Sequence, residues 1–314
     1  MRYKLFPNAG VEVSCMTIGS MVIGAENFGD EASREFVDTV HRLVEQGVNI
    51  IDTAPRYGNG TSEKVVGQAL RGLDRDKVLI ATKFGSYRSF DHYGLCDARY
   101  GTVIREAQSS LLNLGTDHID FFINHWPDHN TPLQETMAAL NDLKRAGAVR
   151  FIGFSNCTRE MLEEAQRYGK VDVIQVQYSL VNQDNRELMA WADSQGIGVM
   201  TYGSLGSGIL SGSIRCRADI DKSPHLSLYD FFAEPKFSAV MELLGTLDDI
   251  AKDHGVPVAQ VAINWSTQKE FVGTALIGTP NSAQGLENLH AFDWSLSDQE
   301  IARIDGEAKR LGIA

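Results

Sequence analysis

The sequence predicts a closed barrel of alternating strands and helices, the (β/α)8 or TIM-barrel class, on three observations. Eight short β-branched runs alternate with segments of helical period along the 314 residues. No linker or low-complexity stretch interrupts the alternation. With 43% hydrophobic and 22% charged residues, the chain can bury one large core, and barrels of this length are routinely single domains, so residues 1–314 are expected to form one barrel domain.

The elements follow in order. Asn8-Ala-Gly10 between two apolar pieces predicts an N-terminal β-hairpin that caps the barrel bottom. Strands are expected over residues 15–19, 48–52, 78–82, 119–123, 149–153, 173–177, 198–201 and 273–277. Helices are expected over 33–46, 62–70, 101–114, 133–146, 159–168, 185–194, 238–254 and 282–290, with an extra C-terminal helix over 297–309. Start signals support several of them: Asp30 or Ser33 before the first, Thr61 or Ser62 before the second, Thr158 before the fifth, and a capping box formed by Ser297 and Glu300 before the last.

Charge and cysteine usage exclude several classes of function. The net charge of −12, with no long run among the 29 Lys and Arg residues, argues against nucleic acid and against an anionic membrane surface. The start of the chain lacks the apolar segment of a signal peptide, and no apolar stretch reaches the roughly 18 residues a bilayer demands, so a soluble cytoplasmic protein is expected. Cys15, Cys96, Cys157 and Cys216 are scattered without a C-x-x-C pair, which predicts reduced thiols and no metal site.

Barrel enzymes carry their chemistry at the carboxyl ends of strands and in the loops that follow. Asp52, Lys83 and His125 end the second, third and fourth predicted strands, with Tyr57 in the loop after the second. Asn156 follows the fifth, Gln177 ends the sixth and Tyr202 follows the seventh. Any one of these alone reads as a helix cap or a solvated side chain; on successive strands of one rim they read as a site. A phenol beside an ammonium that a carboxylate holds, with an imidazole nearby, is what proton delivery to a carbonyl oxygen needs at neutral pH. A tyrosine of ordinary pKa about 10 is a weak acid for this work, and Lys83 at about 4 Å would favour the phenolate by on the order of 4 kcal/mol at a dielectric of about 20, before desolvation opposes it. Asp52 would keep Lys83 charged, and His125 would donate to the substrate oxygen. Carbonyl reduction by hydride transfer is the expected chemistry. His118 and His129, before the fourth strand and in its following loop, are read as uninvolved. The run Gly203-Ser-Leu-Gly206-Ser-Gly208 fits neither Gly-x-Gly-x-x-Gly nor the P-loop pattern, so no Rossmann domain is indicated.

The motifs together resemble the aldo-keto reductases over essentially the whole chain: Asp52-Thr-Ala with Tyr57-Gly, Thr82-Lys83, Leu114-Gly-Thr-Asp, His125-Trp-Pro-Asp128, Gly147-Ala-Val-Arg-Phe-Ile-Gly-Phe-Ser155-Asn156, Gln177-Tyr178-Ser179 and Ile277-Gly278 with Glu287-Asn288. The resemblance implies that Asp52, Tyr57, Lys83 and His125 form a catalytic tetrad for reversible hydride transfer, with Tyr57 as general acid and base. It implies that Ser155, Asn156 and Gln177 hold a nicotinamide carboxamide, that Tyr202 stacks on the nicotinamide and that Tyr178 packs nearby. By the same likeness, Gly203, Ser204, Leu205, Gly206 and Gly208 wrap a pyrophosphate, with Ser204 where the family usually has proline. The adenine end would lie along Ile277, Gly278, Thr279, Ser282, Gln284, Glu287 and Asn288. NADP(H) is the family default, but the basic 2′-phosphate positions read Gly278-Thr279-Pro280 and Gln284 here, which opens the site to NAD(H); Ser282 and Gln284, helped by Arg215 or Arg217, are the candidate replacements. The substrate is expected to be a small carbonyl or sugar-like molecule. Its wall is assigned to the loops over 84–100, with Tyr87, Arg88, Phe90, His92, Tyr93, Arg99 and Tyr100, and over 218–237. A monomer or small homo-oligomer is expected. Two rival readings remain: a catalytically weak cofactor-binding regulatory subunit, and a Schiff-base aldolase using Lys83, whose pKa Asp52 would raise rather than depress.

Overall fold

Eight parallel strands close on themselves in chain order. They are β1 (Met16–Gly19), β2 (Ile50–Asp52), β3 (Leu79–Phe84), β4 (Ile119–Asn124), β5 (Val149–Ser155), β6 (Val173–Gln177), β7 (Gly198–Tyr202) and β8 (Thr274–Gly278). Ile277 and Gly278 of β8 pair with Ile18 and Gly19 of β1, which removes both sheet edges. The computed structural model describes residues 1–24, 29–87, 95–221, 226, 229–279 and 281–313. The TIM-barrel expectation holds, and the N-terminal antiparallel pair Tyr3–Phe6 and Val11–Ser14 is the predicted hairpin. Phe6 meets Phe121 of β4 at a ring-centroid distance of 6.0 Å, and a Cβ on Gly198 or Gly273 would come within 2.4 or 2.2 Å of the Phe6 ring. Only glycine therefore lets this plug seat between β7 and β8.

Strand parity divides the core in two. Phe6, Val13, Ile50, Ala81, Phe121, Ile123, Val173 and Met200 pack inside the barrel, and a larger cluster fills the space between strands and helices. The surrounding helices are α1 (Asp30–Glu45), α2 (Thr61–Leu70), α3 (Tyr100–Leu114), α4 (Leu133–Arg145), α5 (Arg159–Ala165), α6 (Arg186–Ser194), α7 (Lys236–His254), α8 (Val258–Thr267), α9 (Ser282–Leu289) and the extra C-terminal α10 (Asp298–Arg310). Thr158 caps α5, and the Ser297–Glu300 capping box opens α10. The caps of the first two helices differ from expectation. Gly29 and Gly60 precede α1 and α2 without a side-chain bond, Ser33 returns its hydroxyl to the Gly29 carbonyl at 3.1 Å, and Ser62 spends its hydroxyl on Ser20 and Thr53. Helix α8 was not anticipated, because all ten of its residues are buried and a helix without a polar face has no period to read. Among the described residues no helix is long and apolar enough to cross a membrane.

Strand ends also moved. β3, β5 and β7 run on to Phe84, Ser155 and Tyr202, so Ser155 is a ladder residue, while β4 stops at Asn124 and His125 follows it. Lys83 pairs with Ile123 across β3 and β4, and Asp52 pairs with Ala81 across β2 and β3. Backbone hydrogen bonding thus sets the height of both charged side chains over the barrel.

Candidate active site

At the carboxyl rim the Lys83 ammonium donates to Asp52 Oδ1 at 2.6 Å, to the Thr53 carbonyl at 2.9 Å and to the Tyr57 hydroxyl at 3.3 Å. Lys83 and Asp52 are both almost fully buried. Tyr57 is carried by a tight loop in which its N–H reaches the Ala54 carbonyl and Gly60 N–H reaches Pro55, a turn that leads straight into α2. The His125 ring meets the Tyr57 ring edge-on, with centroids 5.9 Å apart. All four predicted residues therefore converge. His118 and His129 do not: His118 bonds Asp117 at 2.7 Å before β4, and His129 is exposed in the following loop.

Burial opposes the Lys83 charge, but Asp52 and Tyr57 outweigh it and hold the lysine above its usual pKa. For Tyr57 the balance goes the other way. Burial is the larger influence and Asp52 adds to it, so the phenol lies above its ordinary value despite Lys83 and Arg56. The expected net push toward phenolate is thus corrected: desolvation wins over the ammonium. Burial first, then Lys83 and Arg56, depress His125 well below the usual histidine range. At neutral pH the site holds a charged lysine, a neutral phenol and a neutral imidazole.

One contributor was missed. Gln175, buried in the barrel interior, donates from Nε2 to Asp52 Oδ2 at 2.7 Å. The signal lay in the period of β6, where Val173 faces inward and the residue two places on must face the same way. Gln177 ends β6 partly exposed, and its carbonyl accepts from Asn185 at 2.9 Å.

The other predicted contacts ring this centre. Ser155 is buried at the end of β5. Asn156, with left-handed φ of 53°, donates to the His125 carbonyl at 2.9 Å and accepts from the Tyr202 hydroxyl at 2.6 Å. Burial raises Tyr202 to about 12. Tyr178 is buried against Trp265, with ring centroids 5.4 Å apart. After β7, Gly203, Gly206, Ser207 and Gly208 all have positive φ, with the Gly206 N–H on the Gly203 carbonyl at 2.8 Å and the Gly208 N–H on the Leu205 carbonyl at 3.0 Å; Leu205 packs on the core between them. Ser204 and Thr279, on the loops after β7 and β8, have buried hydroxyls without a hydrogen-bond partner among the described residues. A hydroxyl so placed costs roughly 1–3 kcal/mol unless a ligand satisfies it.

Along the outer stretch Ile277 is buried and Gly278 exposed; a Cβ on Gly278 would meet only Val22, at 3.9 Å. Ser282 shares a hydrogen bond with Thr39 at 2.9 Å, and the Gln284 N–H is capped by Asn281 while its side chain is exposed. Glu287 is exposed, with its carbonyl accepting from Gln260, and Asn288 is buried. Arg215 is held by Asp248 through two bonds of 2.7 and 2.8 Å, and Arg217 donates to the Phe232 carbonyl at 2.9 Å. Of the two wall loops, Ser86–Tyr87 pairs with Leu95–Cys96, whereas Tyr100 opens α3 and gives its hydroxyl to Asp142 of α4. Tyr229, Phe231 and Phe232 stack together beyond β7. Arg88, Phe90, His92, Tyr93 and Pro280 lie outside the described residues, as does part of 218–237.

A parallel barrel with this group at its carboxyl rim is the architecture of a barrel enzyme. The family model for the aldo/keto reductase family matches residues 16–309, and the chain belongs to that family of oxidoreductases. It is 30% identical over 319 residues to the NADH-specific methylglyoxal reductase of Escherichia coli, covering 96% of both chains. It is 29% identical over 309 residues to the aldo-keto reductase YhdN of Bacillus subtilis, covering 96% of this chain and 92% of that one. The solved glycerol dehydrogenase AKR11B4 of Gluconobacter oxydans superposes with a TM-score of 0.87 at 27% identity, covering 99% of this chain and 96% of the other.

Proposed function

We propose that this protein catalyses reversible, NAD(P)-dependent reduction of a small carbonyl compound, an aldehyde, ketone or sugar-like molecule, with Tyr57 as the general acid. The observation that carries the reading is the chain from Asp52 through Lys83 to the Tyr57 hydroxyl, at 2.6 and 3.3 Å, with the His125 ring alongside. Tyr57 is a neutral phenol and so has a proton to give. As it gives that proton to the substrate oxygen, charge develops on the phenolate next to the Lys83 ammonium, where it is stabilised by a preorganised cation rather than by water. Asp52 keeps Lys83 charged and aimed. His125, neutral, donates one N–H to the same substrate oxygen and fixes its position.

The residues present fit a nicotinamide dinucleotide. Ser204 and Thr279 offer buried hydroxyls with no partner among the described residues, and the turns at Gly203, Gly206, Ser207 and Gly208 would let the loop after β7 wrap a pyrophosphate. Ser155, Asn156 and Tyr202 would hold the nicotinamide end, and Ser282, Gln284 and Asn288 the adenine end. When bound, the dinucleotide supplies the hydride that accompanies the Tyr57 proton. The name of the E. coli relative supports use of NADH, and the engagement of Arg215 with Asp248 points the same way. The Schiff-base alternative is disfavoured because Lys83 sits in an ion pair that raises its pKa. A purely regulatory role is disfavoured because all four groups are in contact.

Steady-state turnover of a carbonyl and sugar panel with NADH and with NADPH tests the proposal. Oxidation of either cofactor in the presence of at least one activated aldehyde is expected. Absence of turnover across the panel with both cofactors would sink it.

A further inference from the structure

An aromatic face packs on a flat partner whatever its para substituent, so a stacking role for Tyr202 leaves its hydroxyl without a task. The hydroxyl nevertheless has a short bond, to Asn156 Oδ1 at 2.6 Å. Asn156 passes the link on, donating from Nδ2 to the His125 carbonyl at 2.9 Å and to Ser155 Oγ at 3.2 Å, while its own N–H is held by the Gln175 carbonyl at 3.2 Å. The left-handed backbone of Asn156, φ 53°, is a conformation that persists only where its surroundings over-determine it. His125 is thereby gripped at both backbone polar atoms, its N–H by Phe84 of β3 at 2.9 Å and its carbonyl by Asn156.

We propose that the Tyr202 hydroxyl is a positioning group for His125, acting through Asn156, so that the aromatic residue of the cofactor face and the donor to the substrate oxygen are set by one rigid link. This rests on the reductase reading above. The ring of Tyr202 and its hydroxyl then have separable effects: the ring governs cofactor affinity, and the hydroxyl governs where the imidazole sits over the Tyr57 edge. A shift of about 1 Å at such a donor can cost as much as a hundredfold in rate.

Tyr202→Phe separates the two. The cofactor Kd, from fluorescence titration with NADH or NADPH, is expected to stay within about threefold of the parent. Turnover is expected to fall by about tenfold or more, with a larger primary isotope effect from cofactor deuterated at nicotinamide C4. The ring resonances of His125 in the free protein should shift. Asn156→Gly, which takes the left-handed backbone without strain but deletes the amide, should shift the His125 ring resonances of the free protein in the same way. Turnover of Tyr202→Phe within about twofold of the parent, or a parallel fall in turnover and cofactor affinity, would overturn the proposal. A parent protein that turns over no carbonyl would fail the reductase reading instead, and unmoved His125 ring resonances in Tyr202→Phe would then overturn the link independently.

Discussion

The Gln175 amide donates to Asp52 at 2.7 Å on the carboxylate oxygen that Lys83 does not use. Both oxygens of a buried carboxylate are thus engaged, one by a charge and one by a neutral amide. Lys83 in turn gives one N–H each to Asp52, Thr53 and Tyr57, which uses its three donors. A fully satisfied polar cluster of this kind is rigid, because any rotation leaves a group unpaired in a low-dielectric interior.

Gln175→Leu should therefore destabilise the fold by roughly 1–3 kcal/mol, the cost of leaving Asp52 Oδ2 buried and unpaired, and should lower turnover as the carboxylate loosens. Thermal melting and kcat on the same preparation check it. Unchanged melting would mean that water or another donor takes the place of the amide.

Tyr57→Phe should abolish turnover to below about a hundredth of the parent value while cofactor binding changes little, since only the proton donor is lost. Lys83→Met should lose activity as well, but with a second consequence: Asp52 is left buried without its cation, a change that costs roughly 3–5 kcal/mol when a buried pair is broken from one side. Adding Asp52→Asn to Lys83→Met should recover much of the melting temperature and none of the activity. A Tyr57→Phe protein that retained a substantial share of kcat would remove tyrosine from the mechanism.

The pH dependence follows from the directions of the shifts. Tyr57 is held above its usual value, so reduction at limiting substrate should be flat through neutrality and decline only as pH rises beyond the ordinary tyrosine range, while alcohol oxidation gains there. His125 is depressed, so no acid-side break is expected near 6.5. For stability, the unfolded chain takes up a proton on His125 near its ordinary value of about 6.5. The folded protein resists until well below that, so stability is lost as pH falls through this window. Melting temperatures from pH 8 to 5 should therefore fall, and His125→Asn should flatten the slope. A slope unchanged in the variant would assign it elsewhere.

How much of this was legible in the residues themselves varied with the physics of each element. Asp52, Lys83 and His125 stood out because an ionisable side chain at the end of an apolar strand is costly unless used, and the eight-fold alternation placed them on one rim. Gln175 escaped because a neutral amide carries no such warning, although strand parity pointed it inward. Helix α8 escaped because burial on every side erases the amphipathic period. The sign of the Tyr57 shift could not be read either, since it is a contest between a near cation and desolvation that only the packing around the ring decides.

The ribbon Ser86–Tyr87 with Leu95–Cys96 rises directly after β3, beside the tetrad, and Arg56 ties to it through Ser86 at 2.9 Å. Replacing residues 86–96 with a short Gly/Ser turn should reorder substrate preference by about tenfold or more between members of the carbonyl panel, while the cofactor Kd moves far less, because the predicted dinucleotide contacts lie on the loops after β5 to β8. An unchanged order of preference would remove this ribbon from the substrate wall.

Cofactor choice gives the sharpest numerical test. A 2′-phosphate is selected by charge-assisted bonds, each contributing roughly 1.5–3 kcal/mol. The outer stretch around α9 presents Ser282 and Gln284 instead of cations, and Ser282 is already bonded to Thr39. Arg215 is held by Asp248 in a two-bond pair, and Arg217 gives one bond to the Phe232 carbonyl. Both cofactors should therefore support turnover, with any NADPH preference in kcat/KM below about a thousandfold, which is roughly 4 kcal/mol at 1.4 per decade. Gln284→Arg should raise kcat/KM with NADPH by about ten- to a hundredfold, the value of one such bond, and leave NADH nearly unchanged. A parent preference for NADPH beyond a thousandfold, or a Gln284→Arg protein indifferent to the phosphate, would mean that the 2′-position is read by other groups than these.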